Sequence, residues 1–158
     1  MGTITLQFVE GNGVGAALIK WFGHGKFSHV DCVLPDSGNL LGARADQLGK
    51  NIKSGVRIRP YGYTKKEPVE QVTIHCSDHQ QQLFYAFMSK QLGKSYNRLG
   101  IIAFFFSTEW TTEGNWFCSQ LVTAGLQAAG LLKELTVPPN KIDPDDLRLM
   151  ISAVWKVY

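Results

Sequence analysis

Alternating hydrophobic and polar positions mark several short strands along this chain. The stretch TITLQFV at 3–9 alternates and is rich in β-branched residues, which is the pattern of a half-buried strand. SHVDCVL at 28–34 and LLGARAD at 40–46 flank the turn PDSGN and predict a hairpin. The same alternation predicts further strands at GVRIRP (55–60), VEQVTIHC (69–76) and AVWKVY (153–158).

Helical periodicity accounts for much of the remaining chain. A Ser, Asp or Asn before an apolar period of 3.6 residues, and a Gly after it, are typical of the positions where helices begin and end. The stretch 94–106 predicts a turn and a buried apolar segment. A first helix is predicted at 14–22, and a second at 77–93, capped by Ser77 or Asp78 and ended by Gly93. A third is predicted from a cap at Asn115 to Gly130. A short last helix has Asp143 as its cap and Pro144 in its first position.

Length and composition favour one globular domain. The chain has 158 residues, of which 44% are hydrophobic and 18% are charged, and this balance suits a single core rather than a disordered segment. No internal repeat, low-complexity tract or linker divides the sequence. The mixture of strands and helices therefore predicts one α+β domain over residues 1–158.

The charge and the cysteine content indicate which binding partners and which cellular compartment to expect. A net charge of +3 argues against obligatory nucleic-acid binding. Six of the sixteen Lys and Arg fall between Lys50 and Lys66 with no acid among them, which predicts an exposed, solvated basic loop, the alternative being contact with phosphate or a cell-wall polymer. Three cysteines without CxxC spacing favour reduced thiols. With no visible signal peptide or membrane-spanning run, we expect a cytoplasmic protein with no integral membrane segment.

Cys118 is the strongest candidate for chemistry, because it falls in the first turn of a predicted helix. The positive end of the helix dipole favours the thiolate, which is the reactive form of cysteine. A nucleophilic thiol also needs a base, and His29 lies on the polar face of a strand, together with Asp31. The alternative is that Cys118 is a small buried hydrophobe and His29 a hydrogen-bonded surface residue.

Metal binding is not expected from the histidine pattern. His75 and His79 have the i, i+4 spacing of a metal pair, but they straddle a predicted junction between a strand and a helix. The glycines after the first strand lack the spacing of a nucleotide-binding loop. We therefore expect neither a metal nor a cofactor.

Two separated motifs resemble one known family. FSHVDCVLPDSGNLLGARAD, followed much later by NWFCSQLVTAGLQAAGLL, resembles the circularly permuted branch of the NlpC-type, papain-like cysteine hydrolases, in which the His strand precedes the Cys helix. KSYNRLG and KIDPDDL resemble the segments before and after that helix. The resemblance covers about residues 4 to 150. It implies a permuted papain-like fold, with an antiparallel sheet or barrel packed against the Cys-bearing helix.

The resemblance also implies roles for individual residues. Cys118 matches the nucleophile and His29 the general base, while Tyr96 matches a tyrosine near the nucleophile, which helps to place the oxyanion or is purely structural. The family often carries a polar orienting residue on the strand after the His, where this chain has Gly42. Asp31 is the substitute we favour, with Asp46, a backbone carbonyl or water as alternatives. The family's usual Glu two residues after the Cys is here Gln120.

The function implied is that of a cysteine hydrolase that forms a thioester intermediate on Cys118. The resemblance suggests an amide bond in peptidoglycan peptides as the substrate and, by analogy, a phage-related protein delivered by a phage or lysis pathway. Two alternatives remain open. One is a non-catalytic binding module on the same fold, suggested by Gly42. The other is an acyltransferase or lipase directed at lipid or other acyl groups, for which IIAFFF at 101–106 is the one candidate contact.

Overall fold

Five strands form one antiparallel sheet in the computed structural model, which describes residues 1–11, 25–45, 53–64, 67–96, 115–133 and 135–155. The strand order is β4-β3-β2-β1-β5, so the described part of the sheet is open, with β4 and β5 at its edges, rather than closed into a barrel. The predicted antiparallel sheet and α+β class are confirmed. The strands are β1 (Gly2–Val9), β2 (His29–Val33), β3 (Leu40–Arg44), β4 (Gly55–Arg59) and β5 (Val69–Cys76).

The register of β2 places the polar residues of this strand between two neighbours. β1 pairs along the whole of β2, with Gln7 opposite Asp31. On the other side, the ladder between β2 and β3 consists of Cys32 opposite Leu41 and Val33 opposite Leu40. The first half of β2 is therefore bonded to β1 but not to β3.

Three α-helices occur in the described residues, and the first and the last of them begin at the predicted caps. The first has Ser77 as its cap and is followed by Gly93 in a left-handed conformation with φ 90°. The last begins at Pro144 behind Asp143, whose carboxylate accepts from the Asp146 N–H at 2.7 Å. A short parallel strand pair and a 3₁₀ turn complete the fold. The elements are α1 (Asp78–Lys90), β6 (Ser95–Tyr96), β7 (Asn115–Trp116), α2 (Cys118–Ala128), the turn Pro139–Lys141 and α3 (Pro144–Val154).

The helices and the sheet share one hydrophobic core. α1 contributes Phe84 and Met88, and α2 contributes Leu121 and Leu126, all fully buried. The two helices approach closely at Gly125, where an added Cβ would lie 2.9 Å from a ring carbon of Phe84. Burial of these apolar side chains fixes α2 against the sheet, and with it the position of Cys118.

Two predicted boundaries are wrong. Asn115 lies in β7 and does not cap α2, which instead begins behind Phe117, where the Gln120 side chain accepts from the Phe117 N–H at 3.2 Å. The predicted last strand at 153–158 is also wrong, because α3 continues through Val154. Residues 156–158 lie outside the described part of the chain.

The basic segment is not simply an exposed loop. Arg57 and Arg59 lie in β4, and the Arg59 side chain is only 1% exposed. Its guanidinium donates to the backbone carbonyls of Gly42 at 3.1 Å and Gly55 at 3.2 Å, which satisfies a cation that burial would otherwise disfavour. The prediction of a solvated basic loop is therefore wrong for this part of the segment.

Some predictions concern residues that the structure does not describe. These are the helix at 14–22, the apolar stretch at 101–106 and Asp46. Among the helices that it does describe, none has an apolar run long enough to cross a bilayer.

Candidate active site

Cys118 is the first residue of α2, and its side chain is almost fully buried. Phe117 before it has extended backbone, so the helix begins at the cysteine itself. The Cys118 sulfur lies beside the His29 side chain and the backbone N–H groups of Val30 and Ser119, and all three lower the pKa of its thiol. Backbone donors and the positive end of a helix both stabilise a thiolate. The structure therefore places the thiol where its charged form is favoured.

His29 is the first residue of β2 and lies between the thiol and a carboxylate. Its Nε2 is 2.8 Å from Asp31 Oδ1 and 3.3 Å from the Tyr63 hydroxyl. Nδ1 is therefore the nitrogen available to the Cys118 sulfur. The side chain is only 8% exposed, so the alternative in which His29 is a surface residue is wrong.

Asp31 lies two residues after His29 on the same strand, so their side chains share one face of the sheet. The carboxylate is fully buried, and its Oδ2 accepts from the Tyr63 hydroxyl at 2.5 Å. Its Oδ1 approaches His29 Nε2 closely but without an aligned hydrogen bond. Asp31, the favoured substitute for an orienting residue, is thus in contact with the imidazole.

Gly42 provides the space that the Asp31 carboxylate occupies. A Cβ built at position 42 would lie 1.9 Å from Asp31 Oδ1 and 3.0 Å from Cγ, far inside any real contact. The missing side chain on β3 is therefore matched by a carboxylate on β2. For this reason, Gly42 no longer argues for the non-catalytic binding module.

The proton positions around His29 follow from the donors and acceptors present. An ionised carboxylate only accepts, and a guanidinium only donates. The Tyr63 hydroxyl receives a hydrogen bond from Arg44 at 3.0 Å, so its single proton points to Asp31. Nε2 of His29 must then carry a proton that points towards Asp31 Oδ1 and the Tyr63 oxygen. Without that proton, the lone pair of Nε2 would face the lone pairs of these two oxygens. Neutral His29 consequently carries its proton on Nε2 and presents a bare Nδ1 to the thiol.

The electrostatics of the three groups favour charge separation. Burial lowers the pKa of His29, but the Asp31 carboxylate outweighs it, and the net shift is upward. Burial raises the pKa of Asp31, but the His29 charge and hydrogen bonds reverse the shift. Burial likewise raises the pKa of the Cys118 thiol, and the hydrogen bond and charge of His29 turn the net shift downward. A raised imidazole pKa beside a lowered thiol pKa favours a thiolate–imidazolium pair.

The thiol pKa values of Cys32 and Cys76 shift in the opposite direction to that of Cys118. Cys32 lies on the core face of β2, fully buried, and burial together with the nearby Asp31 charge raises the pKa of its thiol. Cys76, which is half-buried at the end of β5, also has a raised thiol pKa, chiefly from burial. Only Cys118 among the three cysteines has a pKa below the ordinary value.

Tyr96 and Gln120 lie near the start of α2 and contact its first residues. Tyr96 is on β6, and its ring meets the Phe117 ring edge-on, with centroids 6.3 Å apart. Gln120 accepts from the Phe117 N–H, so it caps the helix from within. These contacts give both residues a structural part in holding the N-terminus of α2.

The chain entering β2 is held by the helix that follows α2. Asp145, in the first turn of α3, accepts from the backbone N–H groups of Lys26 at 2.9 Å and Phe27 at 3.0 Å. Gly25 allows this close approach, since its Cβ would collide with the same carboxylate. Ser119 of α2 donates to the Ile142 carbonyl at 2.7 Å and ties α2 to the segment just before α3. Together these bonds fix His29 relative to Cys118.

Tyr63, Arg44 and Asp145 were not identified from the sequence. Tyr63 lies in the turn after β4 and contacts residues 34 and 32 positions earlier, a relation that no local spacing reveals. The remaining signal was KIDPDDL, whose second and third acids follow the proline at a helix start. That pattern predicted a cap but not the reach of Asp145 to the His strand.

No set of three or more potential ligands suited to a metal occurs in the residues that the structure describes. The comparisons with known proteins add no assignment. No family model matches the sequence, and no curated protein matches it.

Proposed function

We propose that this protein is a cysteine-dependent hydrolase or acyl-transfer enzyme with Cys118 as nucleophile, His29 as general base and Asp31 as the orienting residue. One observation carries the proposal: a buried, continuous chain of contacts runs from the Cys118 thiol through His29 to the Asp31 carboxylate. Nucleophilic catalysis requires a thiol, a base within hydrogen-bond reach and a group that holds the base.

The proposed reaction has two steps. His29 Nδ1 takes the thiol proton, the Cys118 sulfur attacks the carbonyl carbon of an amide or ester, and the imidazolium returns the proton to the leaving amine or alcohol. Water, or another acceptor deprotonated by His29, then cleaves the thioester and frees the sulfur.

The start of α2 supplies a donor for the oxyanion. The first bond within the helix runs from the Leu121 N–H to the Phe117 carbonyl, so the Cys118 N–H has no partner within the helix. A backbone N–H at this position points towards the carbonyl oxygen that the sulfur would attack. The Ser119 N–H already contacts the sulfur and stabilises the thiolate before attack.

The substrate we propose first is the amide bond of peptidoglycan peptides, on the strength of the sequence resemblance alone. The His and Cys motifs are similar to those of enzymes that cleave such peptides. Release of soluble peptide from purified cell walls, compared between wild type and Cys118→Ala, tests this choice separately from the chemistry of the thiol.

The chemistry itself is tested with p-nitrophenyl acetate, a small ester that needs no substrate pocket. We expect a burst of p-nitrophenolate and one acetyl group on Cys118, located by mass spectrometry of the digested protein. Cys118→Ala should abolish the burst, and His29→Ala should reduce it by about 100-fold or more, since general-base catalysis contributes 10² to 10⁴.

Cys32 and Cys76 serve as internal controls in this experiment. Brief alkylation with iodoacetamide at about pH 6.5 should label Cys118 first, because its thiol pKa is lowered while burial raises the other two. Preferential labelling of Cys32 or Cys76 in folded protein would contradict the assignment. Rapid labelling of Cys118 without any acyl-enzyme would favour the non-catalytic binding module.

A further inference from the structure

The Tyr63 hydroxyl is the point where the charged groups around His29 meet. Tyr63 lies in a tight turn after β4, where its N–H donates to the Pro60 carbonyl at 3.1 Å. The neighbouring Thr64 hydroxyl receives the Gln7 side-chain amide of β1 at 3.4 Å, which ties the turn to the sheet. The ring is therefore held over the face of the sheet that carries His29 and Asp31.

All the hydrogen-bonding capacity of this hydroxyl is used. A tyrosine hydroxyl has one proton to donate and two lone pairs that accept. It donates to Asp31 Oδ2 at 2.5 Å and accepts from Arg44 at 3.0 Å and from His29 Nε2 at 3.3 Å. The Arg44 guanidinium also lies 5.1 Å from the Tyr63 ring centre, so the cation holds the ring as well as the oxygen.

Asp31 needs this hydroxyl to keep its orientation. Its Oδ1 has only a short, poorly aligned approach to His29 Nε2 and no aligned hydrogen bond among the described residues. The bond from Tyr63 to Oδ2 is the one that fixes rotation of the carboxylate about its Cβ–Cγ bond. With Oδ2 held, Oδ1 faces the imidazole, and the imidazole faces the thiol.

We propose that Tyr63 is a positioning residue for the reaction of Cys118, and that it acts through Asp31 by locking the carboxylate that orients His29. This inference rests on the proposed function. Tyr63 does not touch the sulfur or the attacked carbonyl. The Tyr63 hydroxyl oxygen holds both the Asp31 carboxylate and His29 Nε2, and Arg44 anchors that oxygen in turn.

The groups facing His29 define the expected direction of the effect. The Asp31 carboxylate raises the pKa of His29, the Arg44 charge lowers it, and the neighbouring Cys118 thiol raises it. Without the hydroxyl, the carboxylate turns or takes up a proton, and its attraction for the imidazolium weakens. The thiolate of Cys118 then loses part of its counter-charge.

Tyr63→Phe removes only the oxygen atom and is the main test. We expect the pH profile of Cys118 alkylation to move upward by about one unit, which lowers the rate by about tenfold on the acid limb of the profile, where little of the thiol is ionised. Tyr85→Phe is the matched control, because Tyr85 donates to the Val33 carbonyl of the same strand at 2.7 Å. It loses one comparable tyrosine hydrogen bond to β2 and should leave the profile unchanged.

Action through Asp31 gives a second readout that a merely structural role would not give. Asp31→Asn alone should slow Cys118 alkylation, and Tyr63→Phe added to it should slow the reaction by less than about twofold more, because residues in one network are non-additive. A profile for Tyr63→Phe that is unchanged, or moves downward, overturns the inference. So does a full tenfold effect of Tyr63→Phe in the Asp31→Asn background.

If Tyr63→Phe does not fold, 3-fluorotyrosine placed at position 63 keeps the ring and the hydroxyl. Its more acidic hydroxyl donates a stronger hydrogen bond to the Asp31 carboxylate. The pH profile of Cys118 alkylation should therefore move with 3-fluorotyrosine at position 63 and stay unchanged with 3-fluorotyrosine at position 85. No movement at position 63 overturns the inference. An ordinary thiol profile in the wild type would instead refute the proposed function, which keeps the two failures distinct.

Discussion

A methyl group added at Gly42 should remove the Asp31 carboxylate from its place. In Gly42→Ala the new Cβ would lie 1.9 Å from Asp31 Oδ1 and 3.3 Å from the Val30 carbonyl oxygen. The backbone of Gly42 is not in the left-handed region, so alanine adds no conformational strain. The main effect is therefore the collision with Asp31, and the carboxylate has to move.

The expected cost follows from two terms. Overpacking a filled site costs about 1 to 3 kcal/mol, and displacing a buried carboxylate from its partners adds part of the 3 to 5 kcal/mol seen when buried charge pairs are broken. We expect Gly42→Ala to lower the free energy of unfolding by about 3 kcal/mol. Once Asp31→Ala has emptied the space, the same methyl should cost less than about 0.5 kcal/mol, because alanine suits a strand better than glycine.

Chemical denaturation of the wild type, the two single variants and the double variant measures this coupling. Gly125→Ala is the control: its methyl meets the Phe84 ring and Met88 sulfur in the helix packing, away from Asp31, so its cost should be the same in both backgrounds. Equal costs of Gly42→Ala with and without Asp31, within about 0.5 kcal/mol, would refute the view that the carboxylate fills the space of a side chain on β3.

Two further predictions concern the acids around the site. Because the pKa of Asp31 is lowered on folding, its contribution to stability is present above the ordinary carboxyl value of about 3.9 and is lost as pH falls through the folded value. The stability difference between wild type and Asp31→Asn, from urea unfolding, should therefore shrink below about pH 4, and a constant difference would contradict this. Asp145→Ala should cost about 2 to 3 kcal/mol, because the Lys26 and Phe27 N–H groups lose a charged acceptor. Asp146→Ala, which loses one 3.3 Å capping contact, should cost less than about 1 kcal/mol. Equal costs of the two variants would refute the view that Asp145 clamps the segment before β2.

The elements that local chemistry determines could be predicted from the sequence. β1 and β5 alternate, α1 carries a Ser cap and a following Gly, and α3 starts with Asp-Pro. In each case the signal lies within one or two turns of the element it determines. The candidate pair also relied on such signals, since a cysteine at a helix start and a histidine on a polar strand face are local features.

The errors arose where distant residues decide the outcome. AV at 153–154 has strand propensity, but burial of Leu147 and Ile151 at i, i+4 carries the helix as far as Val154. Asn115 is a good cap by composition, yet it pairs with Ser95 in β6, and α2 starts two residues after β7 ends. In both cases contacts with distant residues determined the structure and overrode the local propensity.

The support of the candidate site was hidden for the same reason. Tyr63 reaches His29 and Asp31 because β4 folds back beside β3, and these residues lie 34 and 32 positions before it, which is too far for a local pattern to reveal. The importance of Gly42 is visible only when the Asp31 carboxylate is seen in its place. Sequence reasoning could propose Asp31, but it could not show what holds the carboxylate there.

The clamp by Asp145 joins segments that are made at very different times. Lys26 and Phe27 are held by a residue 119 and 118 positions further along the chain, and Cys118 itself lies between them and the clamp. During synthesis His29 is made early, Cys118 late and Asp145 after both. A growing chain therefore carries His29 and Cys118 before the bonds that hold them together can form. Under the proposed function, Cys118 therefore becomes reactive only after α3 has been made.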